Sequence, residues 1–185
     1  LMGAVALHQT ISRAGVQSAA LAELNDAARF ALAYIETDLR QAGFLGLLSI
    51  PESVAGAAGP EAPVSFAVGN DCGPNFAVNL AVPVDGRNNR YNLACTPYRS
   101  PRVGSDVLIV RRAAGQTSLP PDGRLQVHTS LSGGALSADG IPPSDLVAPL
   151  ETRDLVVSAY YVSRASSIGP GVPGLRRKIL RSGPR

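Results

Sequence analysis

The chain has 185 residues, enough for one domain with a buried core. It is 45% hydrophobic and 17% charged, with 19 Gly, 15 Pro and no Trp, which excludes a disordered chain and favours a loop-rich, mostly β domain over a helical bundle. The net charge of +3 is uneven, because residues 1–154 hold 11 basic and 14 acidic residues whereas residues 155–185 hold six basic residues and no acid.

Residues 9–43 are predicted to form one long helix. Its C-terminal half carries apolar residues three or four positions apart, which form a stripe along one face. We expect this stripe to pack on the domain's own sheet through Leu24, Ala28, Ile35 and Leu39. The N-terminal half has a thinner stripe and is expected to contact helices of other chains through Leu7, Ile11, Ala14 and Val16.

The stretch TDLRQAGFLG at positions 37–46 closes this helix. Gly43 is predicted to end it, since glycine adopts the left-handed conformation of a helix C-terminus without strain. Phe44 and Leu45 are expected to tuck beneath the first loop.

After residue 46 the sequence changes to short apolar runs between turn residues. DGRNN at positions 85–89 predicts a turn, with a calcium site at Asp85, Asn88 and Asn89 as the weaker alternative because the full calcium-loop spacing is missing. One helix followed by strands predicts an α+β fold, with a helical segment 1–46 laid on an antiparallel sheet formed by residues 47–185. The predicted strands are Val64–Val68, Phe76–Val82, Val107–Val110, Leu125–Leu131, Leu155–Arg164 and Leu175–Leu180.

Cys72 and Cys95 are the two cysteines, and with only two histidines and no CxxC pair a zinc site is not expected. They form either a disulfide, worth about 3 kcal/mol and typical of an oxidising compartment, or two reduced buried thiols. His128 lies on an alternating strand and is interpreted as exposed or at a sheet edge. Without a GxSxG motif, catalysis is not expected, and we predict no cofactor and no metal.

The C-terminal segment carries a basic cluster formed by Arg176, Arg177, Lys178 and Arg181. Such a cluster can bind nucleic acid or an anionic membrane surface, and the alternative is a solvated terminal strand.

The residues ELNDAARFALAYIETDLRQAGFLG at positions 23–46 resemble the helix segment of the PilW-type minor pilins of type IV pili. Three later stretches are similar to strands of that family, namely SDVLIVRRA, LVVSAYYVSR and PGVPGLRRKIL. The chain departs from the family pattern after the Ala-Gly-Phe block, where GLLS stands in place of a cysteine. The resemblance implies a pilin-like roll, with a long N-terminal helix packed on the sheet and a hydrophobic anchor half preceding Leu1.

The function that the resemblance implies is structural. Such proteins join other minor pilins and the major pilin in a complex that primes pilus assembly, and they support adhesion or twitching motility. The implied partners include a tip adhesin of the PilY type, and the implied location is the inner membrane before assembly and the pilus tip afterwards, with the head periplasmic or extracellular. The alternatives are a J-type pseudopilin of type II secretion, a DNA-binding pilin of DNA uptake, and a secreted enzyme using His128 with a nearby serine and acid.

Overall fold

The structure is a computed structural model that describes residues 2–59, 72–119, 123–167 and 169–180, with residues 2–14 and 170 described by their backbone alone. The chain divides into two compact units, residues 1–40 and residues 41–185. The first unit is a helix and the second, called the head here, contains the β-strands.

Helix α1 runs from Met2 to Arg40, which confirms the long helix that the periodicity predicts. Glu36 and Arg40 form an ion pair at 2.6 Å one turn apart. The chain then turns over residues 41–43, and Gly43 has φ +75°, the left-handed conformation expected of it. Within the part of the chain that the structure describes, no helix combines the length and apolarity needed to cross a membrane.

Within its described residues, the head contains a seven-stranded mixed sheet. Strands β1 and β5 pair in parallel and the other strands pair antiparallel, so an entirely antiparallel sheet is a wrong prediction, whereas the α+β class is confirmed. The sheet order is β1-β5-β4-β6-β3-β2, with β7 also paired to β6. The strands are β1 (Val54–Ala55), β2 (Val84–Arg87), β3 (Val107–Ala113), β4 (Gln126–Thr129), β5 (Gly134–Ser137), β6 (Glu151–Ala165) and β7 (Pro170–Ile179).

The long strand β6 organises the sheet because three strands pair with it. Along one edge it pairs with β3 over residues 155–161. Along the other edge its first residues pair with β4 and its later residues pair with β7. The predicted hairpin of the last two strands is therefore confirmed, with β6 and β7 both longer than their sequence patterns suggest.

One face of β3 and β6 forms the core of the head. Alternate residues of a strand point to the same face, and Ile109, Val157 and Tyr161 are almost completely buried on this one. Two segments complete the core, residues 45–58, which include the short strand β1, and residues 77–80; they contribute Leu45, Leu48, Val54, Ala58, Ala77, Val78 and Leu80.

Several sequence predictions for the head are corrected. The stretch 76–82 is a series of turns and not a strand, because the amide groups of Phe76 and Val78 bond to carbonyls three residues earlier, around Asn75 at φ +54°. The start of the predicted 85–89 turn lies in strand β2, since residues 84–87 pair with β3. Strand β5 has no counterpart among the predicted strands, and the predicted strand 64–68 lies outside the described residues.

Candidate functional site

Three of the four residues predicted to face partner helices lie where only the backbone is described. The side chains of Leu7, Ile11 and Ala14 lie among residues described by backbone alone. Val16 is described, and its side chain is 70% exposed. The contact of these residues with other helices stays a prediction.

Of the residues predicted to pack on the sheet, Ile35 is partly buried, whereas Leu24, Ala28 and Leu39 are exposed on the helix. The packing of this stripe on the head also stays a prediction. Helix α1 also carries a second apolar stripe, which the sequence interpretation missed. Phe30 and Tyr34 place their ring centroids 5.0 Å apart, and both are at least half exposed.

The position of this second stripe follows from helix geometry. At about 100° per residue, Phe30, Tyr34 and Val16 lie roughly 120° around the helix from the centre of the stripe that contains Leu24 and Ile35. The i,i+4 spacing of the two aromatic residues was the signal available in the sequence. The helix therefore offers two separate apolar surfaces.

In the head, Cys72 and Cys95 form a disulfide, which confirms the first of the two alternatives left open by the sequence. The bridge joins the segment before β2 to the loop between β2 and β3. The Ala94 amide also donates to the Cys72 carbonyl at 2.9 Å, so the two segments are held by a backbone bond beside the covalent one.

Two tyrosines connect this disulfide loop to the core. The Tyr91 hydroxyl donates to the Cys95 carbonyl at 2.9 Å, and its ring meets that of Tyr161 edge to face with centroids 5.0 Å apart. The Tyr161 hydroxyl in turn donates to the Tyr98 carbonyl at 2.9 Å. Burial, together with the neighbouring Tyr161, raises the pKa of Tyr91 to about 12, so this hydroxyl remains a donor at neutral pH.

The structure separates the basic residues predicted as one anionic-partner patch. In strand β7, Arg176 pairs with Tyr161 and Lys178 with Ala159, so these two side chains share one face of the sheet. Arg177 pairs with Tyr160 and lies on the opposite face. Arg181 lies outside the described residues.

Arg177 instead borders a groove of about 590 Å³ where β4 and β7 meet the same edge of β6. The carboxylate of Asp154 in this groove is satisfied, since it accepts from Ser118 Oγ at 3.0 Å and Gln126 Nε2 at 2.8 Å and pairs with Arg124. The remaining lining consists of Arg112, Leu125, Leu155, Val156, Ile179 and Leu180.

His128 is fully buried, so its interpretation as an exposed or edge-strand residue is wrong. Strand β4 lies between β5 and β6, and all four of its residues are buried. The ring nitrogens contact hydroxyls, with Nδ1 2.8 Å from Thr152 Oγ1 and Nε2 2.7 Å from Ser137 Oγ. Burial lowers the pKa of His128, and the charge of Asp139 opposes this only in part.

The contact between Ser137 and His128 has the atoms of a nucleophile and a base. In a serine triad, however, the second ring nitrogen is held by a carboxylate, and here the hydroxyl of Thr152 occupies that position. The complete burial of His128 also separates it from any substrate in solvent. The arrangement is suited to holding β4, β5 and β6 together.

At the position of the weaker calcium alternative, Asp85 pairs with Arg87 at 2.8 Å, and the Asn89 amide donates to Asp106 Oδ1 at 2.8 Å. The Arg87 guanidinium therefore neutralises the Asp85 carboxylate, the one charged group among the three predicted ligands. Among the residues with described side chains, no group of three or more His, Cys, Asp or Glu is arranged to hold a metal ion.

Comparison with known proteins gives this chain no relative: no family model matches the sequence, and no curated protein and no solved structure matches it. The geometry described above leaves three features that bear on function. They are helix α1 with its two apolar stripes, the disulfide loop with its tyrosines, and the basic residues around β7.

Proposed function

We propose that the protein is a structural subunit of a pilus, a minor pilin of type IV pili that joins other minor pilins in the complex that primes assembly. The observation that carries this proposal is helix α1, which has 39 residues and presents apolar side chains on two faces. The resemblance of residues 23–46 to PilW-type minor pilins agrees with it.

The physical reason lies in what such a helix requires. A helix of this length extends about 58 Å, and exposed side chains such as Leu21, Phe30 and Leu32 need another surface to cover them. One stripe can pack on the subunit's own head, as the sequence predicts, while the other packs against the helix of a neighbouring subunit. In an assembly of such subunits, each helix then has both of its apolar stripes covered.

The disulfide supports the location that this function requires. Disulfides persist in oxidising environments, and the periplasm and the cell exterior are the compartments in which a pilin head resides. We propose that the head is periplasmic before assembly and lies at the pilus tip afterwards.

The test is co-purification of the tagged protein with candidate minor pilins after co-expression, with the wild-type chain compared to Val16→Asp, a predicted partner residue that lies on the second stripe and is exposed. Aspartate in the N-terminal half should abolish co-purification while leaving the thermal unfolding of the head unchanged, because the substitution does not alter the head. The matched control is Ala22→Asp, which adds the same charge at an exposed position of the same helix, about 120° around it from Val16 and away from both stripes. Normal co-purification of Val16→Asp would refute the partner face.

A second arm uses Ile35→Asp, which should destabilise the whole chain if the C-terminal half of the helix packs on the head. Pseudopilins of type II secretion are included as bait in parallel. Selective capture by those pseudopilins would assign the protein to secretion and would overturn the proposal of a type IV pilin.

A further inference from the structure

The groove bordered by β4, β6 and β7 lies on the sheet face opposite the core. Arg112 of β3 is directly opposite Val156 of β6. Arg177 of β7 is directly opposite Tyr160, four positions further along β6, so the two arginines share a face. Ile179 lies two residues from Arg177 and therefore on the same face between them. The rows that carry Arg112 and Arg177 are about 14 Å apart along β6.

This groove, called the arginine groove, is positively charged at its ends and apolar between them. Its described lining contains three arginines and one acidic residue, Asp154, which is already paired with Arg124. Between the arginines, Val156 is partly buried and Ile179 is 40% exposed. Such a surface is complementary to a segment that carries a carboxylate beside exposed apolar side chains.

Helix α1 presents a segment with that chemistry. Asp26, Phe30 and Tyr34 are four residues apart and form one ridge, called the aromatic ridge. Asp26 is exposed, and the rings of Phe30 and Tyr34 are 67% and 50% exposed. Residues 16–40 hold four acidic and two basic residues, so the helix around the ridge is net negative.

The spacing of the aromatic ridge agrees with that of the arginine groove. Successive ridge residues are about 6 Å apart along the helix, so the ridge spans about 12 Å. Alternate residues of β6, which set the rows of the groove, are about 7 Å apart. Asp26 can therefore pair with the guanidinium at one end while Phe30 covers the apolar centre. Tyr34 then stacks on the guanidinium at the other end.

We propose that the aromatic ridge of one copy of this chain docks into the arginine groove on the head of a second copy. Because ridge and groove are different surfaces, the contact is heterologous, and a pair of copies keeps one groove and one ridge for further copies. The proposal goes beyond the proposed function, which concerns other minor pilins. It uses a part of the second stripe about 21 Å along the helix from Val16, which leaves the N-terminal part for neighbouring helices.

The test is sedimentation velocity of the full chain at increasing concentration. The wild-type chain should form species larger than a dimer as the concentration rises. A contact of this limited size should have a dissociation constant above about 1 μM. The ridge variant Phe30→Ala/Tyr34→Ala and the groove variant Arg177→Glu should each weaken association at least about tenfold.

An equimolar mixture of these two variants tests whether the contact is heterologous. The ridge variant keeps an intact groove, and the groove variant keeps an intact ridge. The mixture should therefore form a 1:1 dimer and nothing larger, although each variant alone remains mostly monomeric at the same concentration. A mixture that stays monomeric would overturn the proposal, and so would a wild-type chain that is monomeric at every concentration.

Two control variants separate the site from general effects. Arg164→Glu makes the same charge change at an exposed residue of β6 that does not line the groove. Leu21→Ala/Leu32→Ala removes two exposed apolar side chains from the side of the helix roughly opposite the ridge. Circular dichroism confirms that every variant is folded, and both controls should associate like the wild type.

A loss of association in either control equal to that of the ridge or groove variant would overturn the assigned surfaces. The co-purification test with other minor pilins depends on Val16, which is not part of the aromatic ridge. This proposal and the proposed function can therefore fail separately.

Discussion

Replacement of Arg111 by methionine tests how the core of the head is held together. Arg111 lies in β3 on the core face and is 3% exposed, which is unusual for an arginine. Its Nε donates to the Phe76 carbonyl at 2.6 Å, and its Nη1 donates to the Val82 carbonyl at 2.7 Å. The guanidinium thus fixes both ends of the turn segment 76–82 that covers the sheet.

The expected loss in the free energy of unfolding is about 3–5 kcal/mol. Each buried carbonyl that loses its donor costs about 1–3 kcal/mol. The contact of the guanidinium with the Phe76 ring, 5.3 Å from its centroid, adds a smaller amount. Methionine fills much of the same volume but donates no hydrogen bond, and the lower cost of burying its side chain offsets only part of the loss.

The matched control is Arg112→Met on the opposite face of the same strand. Arg112 is partly exposed and donates to the Ala113 carbonyl at 3.2 Å, so its replacement should cost less than about 1 kcal/mol. Urea unfolding followed by circular dichroism measures both variants with the disulfide intact. With a slope of about 2 kcal/mol/M, Arg111→Met should lower the midpoint by roughly 2 M. Equal midpoints for the two variants would refute the role assigned to Arg111.

Two further predictions concern a buried base and a tight turn. Burial lowers the pKa of His128 below its ordinary value of 6.5. As the pH decreases, the histidine is therefore protonated in the unfolded chain before it is protonated in the folded one. The free energy of unfolding should fall below pH 6.5, by at most about 1.4 kcal/mol per pH unit. Urea unfolding is measured between pH 7.5 and 5.5, about one unit on either side of the ordinary pKa of histidine. The wild-type chain should lose stability over this range, and His128→Asn should lose less. Parallel pH profiles of the two chains would contradict the prediction. Gly46→Ala should destabilise the head by about 2 kcal/mol or more, because Gly46 has φ +98° and an added Cβ would lie 2.8 Å from Thr129 Oγ1. The control is Gly86→Ala, where an added Cβ has nothing within 4 Å, so the thermal unfolding temperature should change little. Equal losses of stability in Gly46→Ala and Gly86→Ala would show that crowding is not the cause.

The elements predicted correctly are those with a strong local signal. Apolar spacing of three and four residues identifies helix α1, and runs of β-branched and apolar residues identify β3 and β6. The disulfide was one of two alternatives, since the sequence supplies two cysteines but not their separation in space.

The errors occur where contacts distant in sequence determine the local conformation. The apolar stretch 76–82 has the composition of a strand, yet it folds into turns that bury its side chains over β3 and β6 and bond its carbonyls to Arg111. His128 alternates with apolar neighbours as an exposed residue would, but in the folded head it is fully buried, and its ring contacts Ser137 and Thr152 of the strands on either side. Neither outcome depends on the residues of the segment alone.

By itself, then, the sequence determined the long helix, the main strands and the excess of basic residues near the C-terminus, because periodicity, β propensity and charge are properties of neighbouring residues. Only the tertiary structure decided that Arg176 shares its face with Tyr161 and Arg177 shares its face with Tyr160, and that Tyr98 and Arg102 lie beside β6 and β7. The register between β6 and β7 sets the first, and the closure of the loop onto β6 sets the second, through a bond between Tyr98 and Tyr161, which are 63 positions apart.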